Sequence, residues 1–272
     1  MTEYFSYPRE KLLEGKIPVK LLGSSGEVFN EMAWDMVRTI EENNRKKERT
    51  VFILPVGPVG QYPVFVRLVK ERELSLKACV FINMDEYLTD EGRWLDISHR
   101  LSFRGFMERN VYSRLPEGLN VPMENRLFPD PDYPGRILEA IEALGKVDTA
   151  FGGIGINGHL AFNEAEEVSA GEFASRETRV VTMSRETRTA NAIGDLNGAI
   201  DAMPRKAVTV GMKEILMADK VRIGVFRSWH RSVIRQALFS EPSGHFPATL
   251  LQRHPDALVY VNDVAAEPAW ED

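Results

Sequence analysis

Two short stretches of this 272-residue chain carry the side chains best suited to moving protons. The first, Met84-Asp85-Glu86-Tyr87, sets adjacent carboxylates at the end of the apolar run Ala78-Cys-Val-Phe-Ile-Asn83. Side chains alternate on an extended chain, so one of two neighbours faces a cleft and the other a structural partner. A carboxylate in the cleft can carry a proton between adjacent carbons of a sugar, the task of an aldose–ketose isomerase. An acidic strand end that caps the next segment is the plainer alternative. The second stretch, residues 151–164, breaks into glycines at 152, 153, 155 and 158, with His159 directly after them and Glu164 five residues on. Glycines at that density let a ligand approach the main chain. A neutral imidazole at the mouth of a sheet can move a proton near pH 7. Glu164 can fix its tautomer and raise its basicity, while Asn157 can add a hydrogen bond but no charge. Here the alternative is a glycine-rich corner around a buried, satisfied histidine.

The other candidates are weaker. Five histidines, at 99, 159, 230, 245 and 254, show no paired ligand spacing, so no metal is expected. The loop Pro55-Val-Gly-Pro-Val-Gly60 would cradle a phosphate if its N–H groups faced a helix N-terminus. It has no Ser, Thr, Lys or Arg, and Pro58 lacks an N–H, so a plain tight turn explains it as well. It is no Walker loop, and the glycine spacings lack the dinucleotide fingerprint with its downstream acid.

Composition narrows the class. A net charge of −6 and the absence of any Lys/Arg block argue against a nucleic-acid partner. No stretch approaches the ~18 apolar residues of a membrane span, and the N-terminus has no signal-peptide pattern. The single cysteine, Cys79, lies in an apolar run, which fits core packing and a reducing compartment. The chain is expected to be cytoplasmic, to act on a small molecule, and to be open to homo-oligomer formation.

The elements that would position these groups alternate. Apolar runs at 19–23, 50–54, 78–83, 147–151, 220–226 and 257–262 read as strands, with strand-like segments at 179–183 and 207–211. Amphipathic helices are predicted over 28–40, 102–115, 136–144, 185–193 and 229–239, and 64–73 is helix-like. The pattern predicts a three-layer, doubly wound α/β fold on a mostly parallel sheet. One domain spans 1–272, with residues 1–18 as a polar, partly ordered lead-in. Ligands of such sheets sit at the carboxyl ends of the strands. The loops after residues 55, 83 and 151 leave that edge together.

With these residues in place, the chain resembles the glucosamine-6-phosphate deaminase/isomerase family, which shares its fold with 6-phosphogluconolactonase. The resemblance runs from about residue 50 onward. It rests on Phe81-Ile-Asn-Met-Asp-Glu-Tyr87, Phe106-Met-Glu-Arg-Asn110, Gly152-Gly-Ile-Gly-Ile-Asn-Gly-His-Leu-Ala-Phe-Asn-Glu164, Thr187-Arg-Thr-Ala-Asn191 and Ala207-Val-Thr-Val-Gly211. It implies that Asp85 moves the proton between two sugar carbons, that His159 opens the pyranose ring, and that Glu164 assists it. The implied reaction is ring opening, enolisation through an enolamine and loss of ammonia, with no cofactor.

The departures from the family pattern are confined to two places. Asn157 stands where the family's best-known members have aspartate, and an amide orients His159 without stabilising an imidazolium. The family's phosphate loop resembles Leu-Pro-Thr-Gly-Ser-Thr-Pro, whereas this chain has Leu54-Pro-Val-Gly-Pro-Val-Gly60. The family's phosphate-binding arginine falls near Ile193 and its lysine near His230. Losing those groups forfeits charge-assisted hydrogen bonds of roughly 1.5–3 kcal/mol each, unless Arg185, Arg188, Arg227 or Arg231 replaces them. The expected catalytic set is therefore Asp85, His159, Glu164 and Asn157. Substrate contacts are expected from Gly57, Glu86, Gly158, Arg188 and His230. The expected substrate is an amino sugar that is unphosphorylated or otherwise modified. A lactonase-type hydrolase and a sugar-binding regulator are the alternatives.

Overall fold

In the computed structural model, which describes residues 2–270, the alternating runs fold in sequence order. The first half contains β1 (Val19–Leu22), α1 (Ser25–Lys46), β2 (Thr50–Leu54), α2 (Gln61–Glu71), β3 (Cys79–Asn83), β4 (Asp85–Leu88), α3 (Phe103–Asn110), β5 (Arg126–Leu127) and α4 (Arg136–Leu144). The second contains β6 (Thr149–Gly152), α5 (Ala170–Ala174), β7 (Arg179–Thr182), α6 (Arg185–Asp195), β8 (Lys206–Thr209), α7 (Met212–Leu216), β9 (Lys220–Val225), α8 (His230–Phe239), β10 (Ala257–Asn262) and α9 (Asp263–Ala266).

Seven strands form one sheet in the order β1-β10-β9-β6-β2-β3-β5, and every pairing in it is parallel. Its central strands β2, β3 and β6 are buried on both faces, so they read as largely apolar runs. Along β2, Val51 and Ile53 join one apolar cluster while Phe52 and Leu54 join the other. The fold class is the doubly wound α/β fold. The strand order turns back between β2 and β6, and the crevice beyond their carboxyl ends is where such sheets bind ligands.

A second sheet departs from the sequence reading. Residues 84–87, expected as the end of one strand, break at Met84 and begin β4. This strand pairs antiparallel with β8, and β8 pairs antiparallel with β7. The segments at 179 and 207 thus leave the parallel sheet and back β4, whose Asp85 and Tyr87 line the crevice. Phe162 N–H donates to Thr209 Oγ1 at 3.0 Å, tying this small sheet to the glycine loop.

Helix α1 runs past its expected end, and the polar stretch read as a solvated end forms its last turns. Ser24 caps it by accepting from Glu27 N–H at 3.2 Å, and Glu27 accepts in return from Gly23 N–H, a reciprocal arrangement that satisfies otherwise orphan donors. The lead-in is also better anchored than its polarity suggested. Leu12 and Ile17 are buried, and Tyr7 meets Phe239 edge-on with ring centroids 5.1 Å apart. Arg235 of α8 is fully buried and donates to the carbonyls of Tyr7, Arg231, Ala266 and Glu267. Four carbonyl acceptors satisfy a guanidinium that would otherwise be costly to bury.

Candidate active site

The loops after β2, β3 and β6 converge on one cavity of about 330 Å³, closed by α6 and the β9–α8 turn. Gly57, Met84, Asp85, Gly155 and His159 all line it. Gly57 has φ of +147°, and Gly153 lies against Pro58, where a Cβ would stand 3.2 Å from the proline ring. The two loops therefore touch across the switch point of the sheet.

Asp85 opens β4 with its side chain in the cavity and only 7% of its surface exposed. Burial, reinforced by the neighbouring Glu86, pushes its carboxyl up to about 8. A carboxyl in that range exchanges a proton near neutrality, as a shuttle between carbons requires. Glu86 points the other way, as alternation along a strand dictates. It is wholly buried and accepts from Ser102 Oγ at 3.0 Å, Phe103 N–H at 2.9 Å and Arg104 N–H at 2.8 Å. These donors form the first turn of α3, where a carboxylate offsets unpaired N–H groups and the helix dipole. Glu86, expected at the substrate, is a helix anchor outside the cavity lining.

His159 stacks over Gly155 so closely that a Cβ there would lie 1.9 Å from the ring. Its Nδ1 is 2.6 Å from Asn157 Oδ1 and 3.2 Å from Thr187 Oγ1. Asn157 Nδ2 donates to Glu164 Oε2 at 2.7 Å. Glu164 also accepts from Thr187 Oγ1 at 3.0 Å and from Ser184 N–H at 3.0 Å. A carboxylate only accepts, so the amide turns its NH₂ to Glu164 and its carbonyl to His159. Nδ1 must then carry the imidazole proton, leaving Nε2 a free acceptor. Burial holds His159 below the usual histidine range, partly opposed by Glu164.

Three other expected contacts lie elsewhere or act otherwise. Gly158 makes the turn before His159 at φ of +82° and packs against Phe246, outside the cavity lining. Arg188 donates Nη2 to the carbonyls of Ile200 and Met203 at 3.0 and 3.3 Å and is not among the residues lining the cavity. His230 does line the cavity, but Nδ1 accepts from Phe226 and Arg227 N–H while Nε2 donates to Ile154 O. Burial pushes it down to about 3, so it brings neither charge nor a free donor.

Sequence reasoning missed Tyr87, Asn191, Asp195 and Thr187. Asn191 donates to Tyr87 Oη at 2.9 Å beside the cavity. Thr187, Asn191 and Asp195 recur every four residues, so they share one face of α6, and that spacing was the available signal. Arg227 is the only arginine or lysine lining the cavity among the described residues, and it is exposed. Among the described residues no group of three or more metal-ligand side chains is close enough to hold an ion, and no helix is long and apolar enough to cross a membrane.

No protein-family model matches the chain, but whole-chain comparisons are informative. A glucosamine-6-phosphate deaminase of Cronobacter sakazakii is 30% identical over 251 residues, covering 89% of each chain. One from Clostridium perfringens is 29% identical over 250 residues, 88% of this chain and 96% of that one. Among solved structures, a monomeric glucosamine-6-phosphate deaminase superposes with a TM-score of 0.79 at 26% identity, over 91% of this chain and 98% of that one. A 6-phosphogluconolactonase from Shewanella baltica shares the fold, with a TM-score of 0.62 at 15% identity over 90% and 97% of the two chains.

Proposed function

This chain belongs to the glucosamine-6-phosphate deaminase family, and from that premise we propose that it isomerises and deaminates an amino sugar that carries no phosphate. The observation that supports this best is the pairing of a free His159 Nε2 with the buried Asp85 carboxyl in one cavity. In the first step Nε2 takes the proton of the anomeric hydroxyl and returns one to the ring oxygen, breaking the ring C–O bond and forming the aldehyde. Asp85 then removes the proton from C2 while the substrate ammonium passes a proton to O1, giving the enolamine, and Asp85 delivers its proton to C1. The resulting C2 iminium adds water and releases ammonia, leaving a ketose.

Two features make this division of labour workable. The substrate ammonium arrives next to a carboxyl held near 8, and the added cation favours the ionised, proton-accepting form of Asp85. The relay through Asn157 holds Nε2 as acceptor without charging the ring, so His159 enters the reaction as a base.

A phosphate finds few side-chain partners here. His230 is neutral and already bonded through both nitrogens, and Arg227 stands alone at the rim. Cytoplasmic action on a free sugar needs no further component.

The test is ammonia release by the purified chain from glucosamine and from glucosamine-6-phosphate, with Asp85→Asn as control. The expected result is release from the free sugar that disappears in the variant. Thermal stabilisation by a sugar without any release would instead mark a sugar-binding regulator. Release that survives Asp85→Asn would remove the proposed mechanism.

A further inference from the structure

The cavity is divided by chemistry. Asp85 opens β4 and His159 lies in the loop after β6, whereas the wall built from α1, the β2 loop and the β9–α8 turn is apolar. It consists of Phe29, Val56, Pro58, Val59, Phe226 and Trp229. Phe29 meets Phe226 edge-on with centroids 4.8 Å apart. Gly60 lies under Phe29 so closely that a Cβ would stand 2.2 Å from that ring. These contacts make the wall continuous. It is also uncovered: Val59 keeps 38% of its surface exposed, and Phe29, Val56, Phe226 and Trp229 are half-buried. Leaving this much apolar surface beside a reaction cavity is unfavourable in water and favours a ligand that covers it.

The side chains of the wall do not suit an anion. Apart from the Trp229 indole, none of its six side chains can donate a hydrogen bond. Pro58 also lacks a backbone N–H. Arg227 is exposed, its guanidinium 5.8 Å from both the Phe226 and Trp229 rings. Facing it from α6 is Asp195, whose carboxyl burial raises and Arg227 lowers. The rim arginine is thus already offset by a carboxylate, and a dianion would enter a cleft whose own acids resist ionising.

We propose that this wall is a subsite for an apolar terminus of the sugar, a methyl group in place of a hydroxymethyl or phosphorylated end, making the substrate a 6-deoxy amino hexose. This rests on the amino-sugar reading of Asp85 and His159. The wall lines the same cavity as those residues, and a sugar with C1 and C2 at Asp85 and His159 sets its remote end against it. Covering Val56 and Val59 with a methyl group removes apolar surface from water on both partners. A hydroxyl in the same place must leave water for a wall with one indole donor and no side-chain acceptor.

The experiment compares 2-amino-2,6-dideoxyglucose, glucosamine and glucosamine-6-phosphate with the full chain, measuring binding by calorimetry and ammonia release in parallel. The deoxy sugar is expected to bind and turn over roughly ten- to a hundredfold better than glucosamine, the range over which an apolar pocket discriminates. The phosphorylated sugar is expected to be the weakest of the three. A Val56→Thr/Val59→Thr variant keeps the shape of the wall while adding two hydroxyls. It should narrow the deoxy preference about tenfold, with its melting temperature showing that it folds.

Preference for the phosphorylated sugar, equal binding of the deoxy and hydroxy sugars, no binding of any of the three, or a folded double variant with an unchanged preference would each overturn the subsite. The two readings fail separately. Deoxy-selective binding without ammonia release removes the deaminase reading and keeps the subsite. Ammonia release without deoxy preference does the reverse.

Discussion

Glu164 reaches His159 only through intermediaries: Asn157 bridges the carboxylate and the imidazole with contacts of 2.7 and 2.6 Å, and Thr187 spans the same gap at 3.0 and 3.2 Å. The carboxylate therefore acts by fixing which way an amide points. That amide in turn decides which imidazole nitrogen carries the proton.

Removing the anchor should release the amide. In Glu164→Ala, Asn157 is free to turn its NH₂ toward His159, which moves the ring proton to Nε2 and removes the base. We expect kcat to fall about a hundredfold or more with a smaller change in KM, in line with the cost of wrong-tautomer triads. Nitrogen chemical shifts of His159 should show the proton moving from Nδ1 to Nε2. An unchanged tautomer with lost activity would assign Glu164 another role.

Asp85 links activity to stability. Its carboxyl is raised from 3.8 to about 8, so between those values the folded chain keeps a proton that the unfolded chain has released. Stability from this group is full below about pH 4 and is lost as pH rises through 8. Asp85→Asn should therefore stabilise the fold more at pH 9 than at pH 5, read as the difference in melting temperature. The same substitution should lower kcat by roughly 10²–10⁴-fold. In the intact chain, kcat/KM should climb with pH and level off above about 8.

His230 titrates in the opposite sense. Held at about 3 by burial, it stays neutral in the folded chain while the unfolded chain protonates below about 6.5. Its contribution is full above pH 6.5 and lost as pH falls toward 3. His230→Ala should destabilise the protein at neutral pH, because Ile154 O and the Phe226 and Arg227 amides lose their partner, by about 1–3 kcal/mol. It should also flatten the fall in stability between pH 6 and 4. Denaturant titrations across that range measure both effects.

Glu86 should be a folding residue and not a catalytic one. Glu86→Ala strips the first turn of α3 of its acceptor and should cost about 1–3 kcal/mol. In the surviving folded fraction KM should stay within about threefold of the parent. A large rise in KM with unchanged stability would return Glu86 to the substrate.

The parts of this site visible in the sequence were those set by local rules. Unbroken apolar runs announced the parallel strands, and glycines announced the loop that lets His159 stack over Gly155. The antiparallel sheet was hidden because only one residue, Met84, separates β3 from β4, and the pattern through Tyr87 does not record the change of direction. Arg188 looked available because a sequence does not show that its guanidinium meets the carbonyls of Ile200 and Met203. His230 was expected to contact the substrate, but burial and three backbone contacts decide its charge, and both arise from tertiary packing.

Arg235 joins parts of the chain that are far apart in sequence. Its guanidinium holds carbonyls at Tyr7, near one end, and at Ala266 and Glu267, near the other. It belongs to α8, the helix whose first residue, His230, forms part of the reaction cavity. Segments on either flank of the fold are thus mechanically continuous with a residue that lines the cavity. Trimming the chain past Tyr7 or before Ala266 should loosen substrate binding from a distance, with no altered residue inside the cleft.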